Sequence, residues 1–394
     1  MKGAALRFES GRLAFAGPDA DFVRLYGEAP APGETVLDGS GKTAVPGFVD
    51  AHTHLPWEGF REGEFNRRLK GETYADISAK GGGIVATVAA TRAATEERLA
   101  ANVRARLDRM LVHGTTFCEA KTGYGLDLPN ETKQLKALLA GAKGHAVGVA
   151  ATALPAHELP PERRGSPALR ARFLAECREE ILPALAELGA RFVDVFCEEG
   201  VFSLDESAGI LVAGRALGLV PRIHADELTP SGGASLAARL SAASADHLLY
   251  VTDAGIEDMA KAGVIATLLP GTSVFLRMDR YAPARKMVSA GVAVALGTDC
   301  NPGSSYTESL GAVAFLACVG MGLTVEETLT AMTINAAASL GEGARRGTLE
   351  PGKAGDAVLL DGPSLEHLVY HWGINLVTDV IAGGRHAVAR GLLR

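Results

Sequence analysis

Eight compact apolar runs recur between residues 47 and 298, separated by longer charged or helix-like stretches, and this alternation limits the fold more than any other feature of the chain. The runs are 47–52, 115–120, 146–154, 192–198, 220–224, 245–251, 264–269 and 292–298, and they are rich in Val, Ile, Ala and Phe. Between them lie helical patterns such as 96–112, 167–188, 207–218 and 235–241. Strands that read as continuous apolar runs fit a parallel sheet buried on both faces. Eight βα units fit a closed (β/α)8 barrel of the α/β class.

The two ends have a different texture. Residues 1–45 are short pieces of β character punctuated by Gly and Pro, such as 5–8 and 12–15. From about Gly347 the chain returns to short β-like pieces at 356–360 and 377–382. The expected division is a small β domain from 1–45 and 343–394, with the barrel, 46–342, inserted between its halves. The triple glycine at 81–83 lacks the Lys-Ser/Thr ending of a phosphate loop, so a tight turn is expected there.

Charge and composition narrow the partners. The formal net charge is -7 with no basic block, which argues against nucleic acid or an anionic membrane as the main partner. The longest uncharged run, 309–325, falls short of the roughly 20 apolar residues of a membrane span and is expected to be a buried helix. The first residues meet charge too early for a secretory signal. Five cysteines, an odd number without paired spacing, suggest a reduced, cytoplasmic setting.

Chemistry in a barrel of this kind gathers at the C-terminal ends of the strands. His52 and His54 end the first apolar run, and in a strand residues two apart point to the same side. His224 ends the fifth run, Asp246 and His247 lie near the start of the sixth, Asp299 closes the eighth, and His157 follows the third. Three imidazoles and a carboxylate suit zinc or a similar borderline metal with an open position for water. Taken singly each residue has a plainer reading. A lone histidine is more often a hydrogen-bonded structural group, and Asp299 alone would cap a turn. His113, His145, His367, His371 and His386 are expected to be of that plain kind.

These residues resemble the amidohydrolase superfamily, from Pro46-Gly47-Phe48-Val49-Asp50-Ala51-His52-Thr53-His54 through Gly297-Thr298-Asp299 to the closing stretch Gly347–Ala357. The resemblance implies a TIM barrel carrying a small β-sandwich built from both termini. Some members bridge two metals with a modified lysine on the fourth strand. Here that strand, 192–200, has no lysine, which favours a single ion, although Glu198 or Glu199 could support a second. Further segments, 64–74, 80–84, 119–126, His224-Ala225-Asp226-Glu227 and 297–303, look like the imidazolonepropionase family. That family hydrolyses 4-imidazolone-5-propanoate to N-formimidoyl-L-glutamate in histidine degradation. The opening segment looks shorter than is usual there, so the small domain is expected to lack a strand or two.

The resemblance assigns roles. His52, His54, His224 and Asp299 would hold one divalent or trivalent ion, Zn or Fe, which would supply the attacking hydroxide. Glu227, His247 and Asp299 would be the catalytic groups, with His247 polarising the carbonyl. Arg61, Tyr124, His157 and Glu227 would contact the substrate, the Arg61 fork matching its propionate. Asn301, Gly303 and Ser304 would contact the opened product. Arg61 lies among Glu58, Glu62 and Glu64, so a merely local pairing is the competing reading. A cytoplasmic homodimer acting on a small molecule completes the expectation. The alternatives are another mononuclear amidohydrolase, either a deaminase or a cyclic ureide hydrolase, and a barrel that has lost catalysis and serves as a scaffold.

Overall fold

The computed structural model describes residues 1–30, 32–72 and 82–394. The chain opens with a hairpin in which β1 (Ala4–Glu9) and β2 (Arg12–Pro18) pair antiparallel. Its turn holds Ser10 and Gly11 at positive φ, a conformation that glycine adopts without steric cost. The helix Asp19–Tyr26 follows. The opening segment is therefore not all β, as its composition suggested. Phe22 and Tyr26 stand one helical turn apart and both pack edge-on against Phe15 of β2.

After β3 (Thr43–Pro46) come eight strands: β4 (Phe48–Asp50), β5 (Thr115–Lys121), β6 (Gly148–Ala156), β7 (Phe192–Cys197), β8 (Val220–Ala225), β9 (Ser244–His247), β10 (Ile265–Leu268) and β11 (Val294–Leu296). Neighbours in sequence are neighbours in the sheet, and every pairing is parallel. The seam between β11 and β4 is closed by single bonds. Ala51 N donates to Leu296 O at 3.3 Å and Asp299 N to His52 O at 2.9 Å. Buried Asp50 accepts from Thr298 N at 2.9 Å and from Thr298 Oγ1 at 2.6 Å. The same seam thus registers His52 against Asp299.

The helices cover the barrel with one apolar stripe each. In Glu96–Val112, Thr95 caps the first turn by accepting from Arg98 N, and Leu99, Val103, Leu107 and Met110 are buried. Each such side chain contributes about 1.5–3 kcal/mol by leaving water. The pattern at 167–188 forms one helical rod with a π-turn at Cys177–Ile181, just before Pro183. Proline has no N–H to close the ordinary i→i−4 bond, which accounts for the local widening. The uncharged run at 309–325 forms the helix Leu310–Met321, which ends where Gly322 takes a left-handed conformation. Only one side of it is buried. Val319 is 71% exposed, so the expectation of a wholly buried helix is corrected.

The sixth apolar run also differs from its reading. β9 ends at His247 rather than beginning there, because His247 and Leu248 both hold positive φ and turn the chain away. His247 therefore stands at the C-terminal end of its strand with the other site residues.

The tail supplies β12 (Ala357–Leu360), β13 (Val377–Ala382), β14 (Arg385–Ala389) and β15 (Leu392–Leu393). With β3 they form an antiparallel sheet in the order β15-β14-β13-β12-β3, so a strand from the head lies beside one from the tail. The opening hairpin is tied to the same region, since Leu13 N donates to Lys353 O at 3.0 Å and Gly352 N to Leu13 O at 2.8 Å. The architecture is an α/β barrel with a small β unit drawn from both ends. Among the described residues no helix is long and apolar enough to cross a membrane.

Candidate metal centre and substrate face

The two-residue period of an extended chain turns His52 and His54 the same way, and their Nε2 atoms stand 3.3 Å apart. Asp299 Oδ1 lies 3.5 Å from each of them. The His224 ring comes from β8, with its centroid 4.6 Å from that of His52. The His247 ring comes from β9, 5.2 Å from that of His224. All five residues are buried. Two sets of ligand atoms, His52–His54–His224 and His52–His247–Asp299, each lie within 4.8 Å of one another.

The protonation of two rings follows from their neighbours. His52 Nδ1 is 2.7 Å from Asp246 Oδ2, and His224 Nδ1 is 3.0 Å from Asp194 Oδ2. A carboxylate only accepts, so His52 Nδ1 carries the proton and His52 Nε2 presents a lone pair. Burial opposes the charge on His224, but Asp194 raises its imidazole above the ordinary range. Neither nitrogen of the buried His224 ring has a hydrogen-bond partner of good geometry. The His52 Nε2 lone pair, the unpartnered His224 ring and the Asp299 carboxylate converge among buried side chains. A cation resolves that convergence. The edges of 3.3 and 3.5 Å match the roughly 3.4 Å edge of a tetrahedron with metal–nitrogen bonds near 2.1 Å. The donor set fits one metal ion.

Behind these histidines lies a buried charged cluster that the sequence reading did not single out. Lys121, the last residue of β5, donates to Glu119 Oε1 at 2.8 Å and lies 2.8 Å from Asp194 Oδ2. Arg222 Nη2 reaches Asp246 Oδ2 at 3.2 Å and Ala51 O at 2.8 Å. Burial opposes the charge on Lys121, but Asp194 and Glu119 hold its proton above the ordinary lysine range. The legible signal was the presence of Glu119, Lys121, Asp194 and Arg222 inside apolar strands. A charge at such a position is buried and must be paired.

Glu227 stands on the turn after β8, where Asp226 holds positive φ. Asp226 accepts from Gly232 N at 2.7 Å and Ala234 N at 3.0 Å, which anchors the helix Gly233–Arg239 to the turn. Glu198 accepts from Glu227 N at 3.1 Å, from Leu228 N at 2.8 Å and from the Thr229 hydroxyl. Glu198 is thus engaged in holding the Glu227 turn, and Glu199 is exposed. The Glu227 carboxylate lies 3.6 Å from His247 Nε2. Burial, followed by the nearby Asp299 charge, pushes the Glu227 carboxyl up to about 8.

The expected substrate contacts divide in two. Tyr124 and His157 lie against the histidines, with the His157 ring stacked 5.0 Å from His54 and Tyr124 5.3 Å from His157. The Tyr124 turn is carried by Glu131, which accepts from Gly123, Gly125 and Leu126 amides, and by Gln134, which accepts from Tyr124 N. Burial lowers the His157 imidazole to about 3, keeping it neutral. Asn301 and Ser304 instead organise their own loop. Asn301 Oδ1 accepts from Gly303 N and Ser304 N, while its amide donates to Asp299 O and Ser304 Oγ. Ser304 Oγ and Thr272 Oγ1 both donate to Asp299 Oδ2, leaving Oδ1 toward the histidines.

Arg61 is pinned by Glu64, which takes Nε at 2.9 Å and Nη2 at 2.8 Å and also accepts from Gly83 N at 3.1 Å. The local pairing foreseen for Arg61 therefore exists, and it fixes the guanidinium against Gly303. A Cβ on Gly303 would lie 2.2 Å from Arg61 Nη1. Of the motif segments, Thr73, Tyr74, Lys80 and Gly81 lie outside the described residues.

A parallel barrel with clustered histidines at the C-terminal ends of its strands is the arrangement of the amidohydrolase class, and the amidohydrolase family model matches residues 232–387. The chain is 48% identical to the imidazolonepropionase of Geobacillus sp. (strain WCH70), covering 100% of this chain and 92% of that one. It is 45% identical to the imidazolonepropionase of Porphyromonas gingivalis (strain ATCC BAA-308 / W83), over 97% of this chain and 89% of that one. The chain belongs to the imidazolonepropionase family. Its fold is also that of an adenosine deaminase from Xanthomonas campestris solved with bound zinc, with a TM-score of 0.72, 22% identity, and coverage of 100% of this chain and 90% of that one.

Proposed function

We propose that this chain hydrolyses the ring amide of 4-imidazolone-5-propanoate to N-formimidoyl-L-glutamate, the histidine-degradation step carried by the name of its relatives. One observation carries the reading. Ligand atoms of His52, His54 and His224 lie within 4.8 Å of one another, Asp299 Oδ1 is 3.5 Å from the Nε2 atoms of His52 and His54, and the buried Glu227 carboxyl lies 3.6 Å from the neighbouring His247.

His52, His54, His224 and Asp299 would hold one ion, zinc or iron. Bound there, that ion would acidify a water and polarise the acyl oxygen. Glu227 takes the proton from the attacking water. As the ring C–N bond breaks, Glu227 returns that proton to the leaving nitrogen, so one water is consumed and no group is released. A carboxyl raised toward neutrality suits both halves of that exchange. His247 donates toward the oxygen on which negative charge develops. Asp299 shares in the proton relay.

Tyr124 and His157 face the ring. Arg61, held open by Glu64, pairs with the propionate through two parallel hydrogen bonds. Asn301, Gly303 and Ser304 shape the wall against which the opened product lies. The five cysteines are free, which supports a cytoplasmic setting. The net charge of -7 supports a small-molecule substrate rather than nucleic acid or a membrane surface. The homodimer rests on the family resemblance alone.

The test is product analysis. Incubation with 4-imidazolone-5-propanoate yields a product heavier than the substrate by one water and no free ammonia. Ammonia release, or turnover of other cyclic amides with this substrate untouched, would replace the assignment with a deaminase or another ring hydrolase.

A further inference from the structure

The charged cluster behind the metal-ligand histidines has one residue at its hub. Lys121 Nζ is 2.8 Å from Glu119 Oε1, 2.8 Å from Asp194 Oδ2 and 3.7 Å from Asp246 Oδ2. Each of these carboxylates supports a different part of the proposed centre. Asp194 Oδ2 faces His224 Nδ1 at 3.0 Å, and Asp246 Oδ2 faces His52 Nδ1 at 2.7 Å. Glu119 Oε2 accepts from Thr53 N at 3.2 Å, which fixes the backbone between His52 and His54. The backbone N of Lys121 donates to Thr53 O at 2.9 Å, so the lysine also reaches that segment directly. The ammonium shares with each histidine the very oxygen that orients it.

We infer that Lys121 is a positioning residue for the metal centre: one buried cation clamps the carboxylates that set the orientation of His52 and His224, and holds the peptide joining His52 to His54. The inference rests on the metal-centre reading above.

The charge pattern supports it. Lys121 is wholly buried, as are Glu119, Asp194, Asp246 and Arg222. Three carboxylates face two cations, so removing Lys121 leaves only Arg222 against three negative charges. Arg222 contacts Asp246 through Nη2, and its Nη1 donates to Ser339 O. Among the described residues it forms no ion pair with Asp194 or Glu119. A carboxylate that loses its cation in such a place is no longer held in position, and the imidazole beside it loses a fixed neighbour. The lysine must also act as a cation here. A carbamate on its Nζ would add a negative charge among three carboxylates.

The test compares the unaltered chain with Lys121→Met, which keeps length and loses charge, and with Lys121→Met/Glu119→Gln. The double variant removes the excess negative charge while leaving Asp194 and Asp246 unclamped, and so guards against a single variant that fails to fold. Zinc affinity is read by chelator competition on metal-free protein, and ligand geometry by the visible bands of the cobalt-substituted protein. Far-ultraviolet circular dichroism confirms the fold. The expected result is zinc binding weakened about 10- to 100-fold with displaced cobalt bands, in protein whose backbone spectrum is unchanged. Folded variants with unaltered zinc affinity and unaltered cobalt bands would overturn the inference and leave the metal centre standing. Failure of the unaltered chain to bind one zinc would overturn the metal centre and this inference with it.

Discussion

Gly303→Ala isolates the proposed recognition of the substrate's tail. The new Cβ would lie 2.2 Å from Arg61 Nη1 and 3.0 Å from Cζ, against the backbone of a loop already anchored by Asn301. Ordinary carbon–nitrogen contact needs roughly 3.4 Å or more, so the guanidinium must retreat by about 1.2 Å. That retreat pulls it out of register with Glu64 and with a carboxylate on the substrate side. Arg61 is the far end of a flexible side chain, so the fold should lose little. A charge-assisted pair is worth about 1.5–3 kcal/mol, so kcat/KM should fall roughly 10- to 100-fold, mostly through KM. The assay is initial rate against concentration for Gly303→Ala, Arg61→Ala and the double variant, with urea midpoints alongside. If Gly303 acts through Arg61, the double variant is no worse than Arg61→Ala. Unchanged kinetics in Gly303→Ala, or losses that simply add in the double variant, would refute the reasoning.

Glu227→Gln keeps the shape of the proton carrier and removes its function; kcat should fall about 10²- to 10⁴-fold, while zinc content measured on the same protein stays at the unaltered level. Gly297→Ala would set a Cβ 2.9 Å from both the backbone N and the Cβ of His52, and neither atom can swing away, so chelator competition should show weakened zinc binding. Glu58 is lowered to about 2 by Arg98, with Asn102 and the Gly59 amide assisting. A carboxyl depressed in the folded state stabilises above its ordinary pKa, and that stability drains as pH falls from about 4.5 toward 2. With screening at this part-exposed site, Glu58→Gln should cost about 1 kcal/mol at pH 7 and almost nothing near pH 2 by urea unfolding.

The barrel was legible because its signal is carried by period and spacing. Apolar runs such as 192–198 and 220–224 are too short for helices and lack alternation, which leaves buried parallel strands. The imidazoles were legible for a similar reason, since His52 and His54 two apart at the end of such a run can only share a side. What stayed hidden depends on partners far away in sequence. Lys121, Asp194 and Asp246 each read as an odd charge in an apolar strand, and only the closed barrel brings them to one point. The commitment of Asn301 to its own loop and of Glu198 to the Glu227 turn was equally out of reach, because it is decided by backbone amides on neighbouring turns. The helix at Asp19–Tyr26 is too short for a clear period and forms because Phe22 and Tyr26 find Phe15. The early end of β9 is set by positive φ at His247 and Leu248, a conformation that neither residue type announces.

The most direct test of the central claim is metal titration of the stripped protein with hydrolysis of freshly generated 4-imidazolone-5-propanoate followed by its ultraviolet absorbance. The account predicts no turnover without metal, a linear rise to a plateau at one ion per chain, and no rise at all in His224→Ala. Full turnover by metal-free protein, or none with one ion bound per chain, would contradict it.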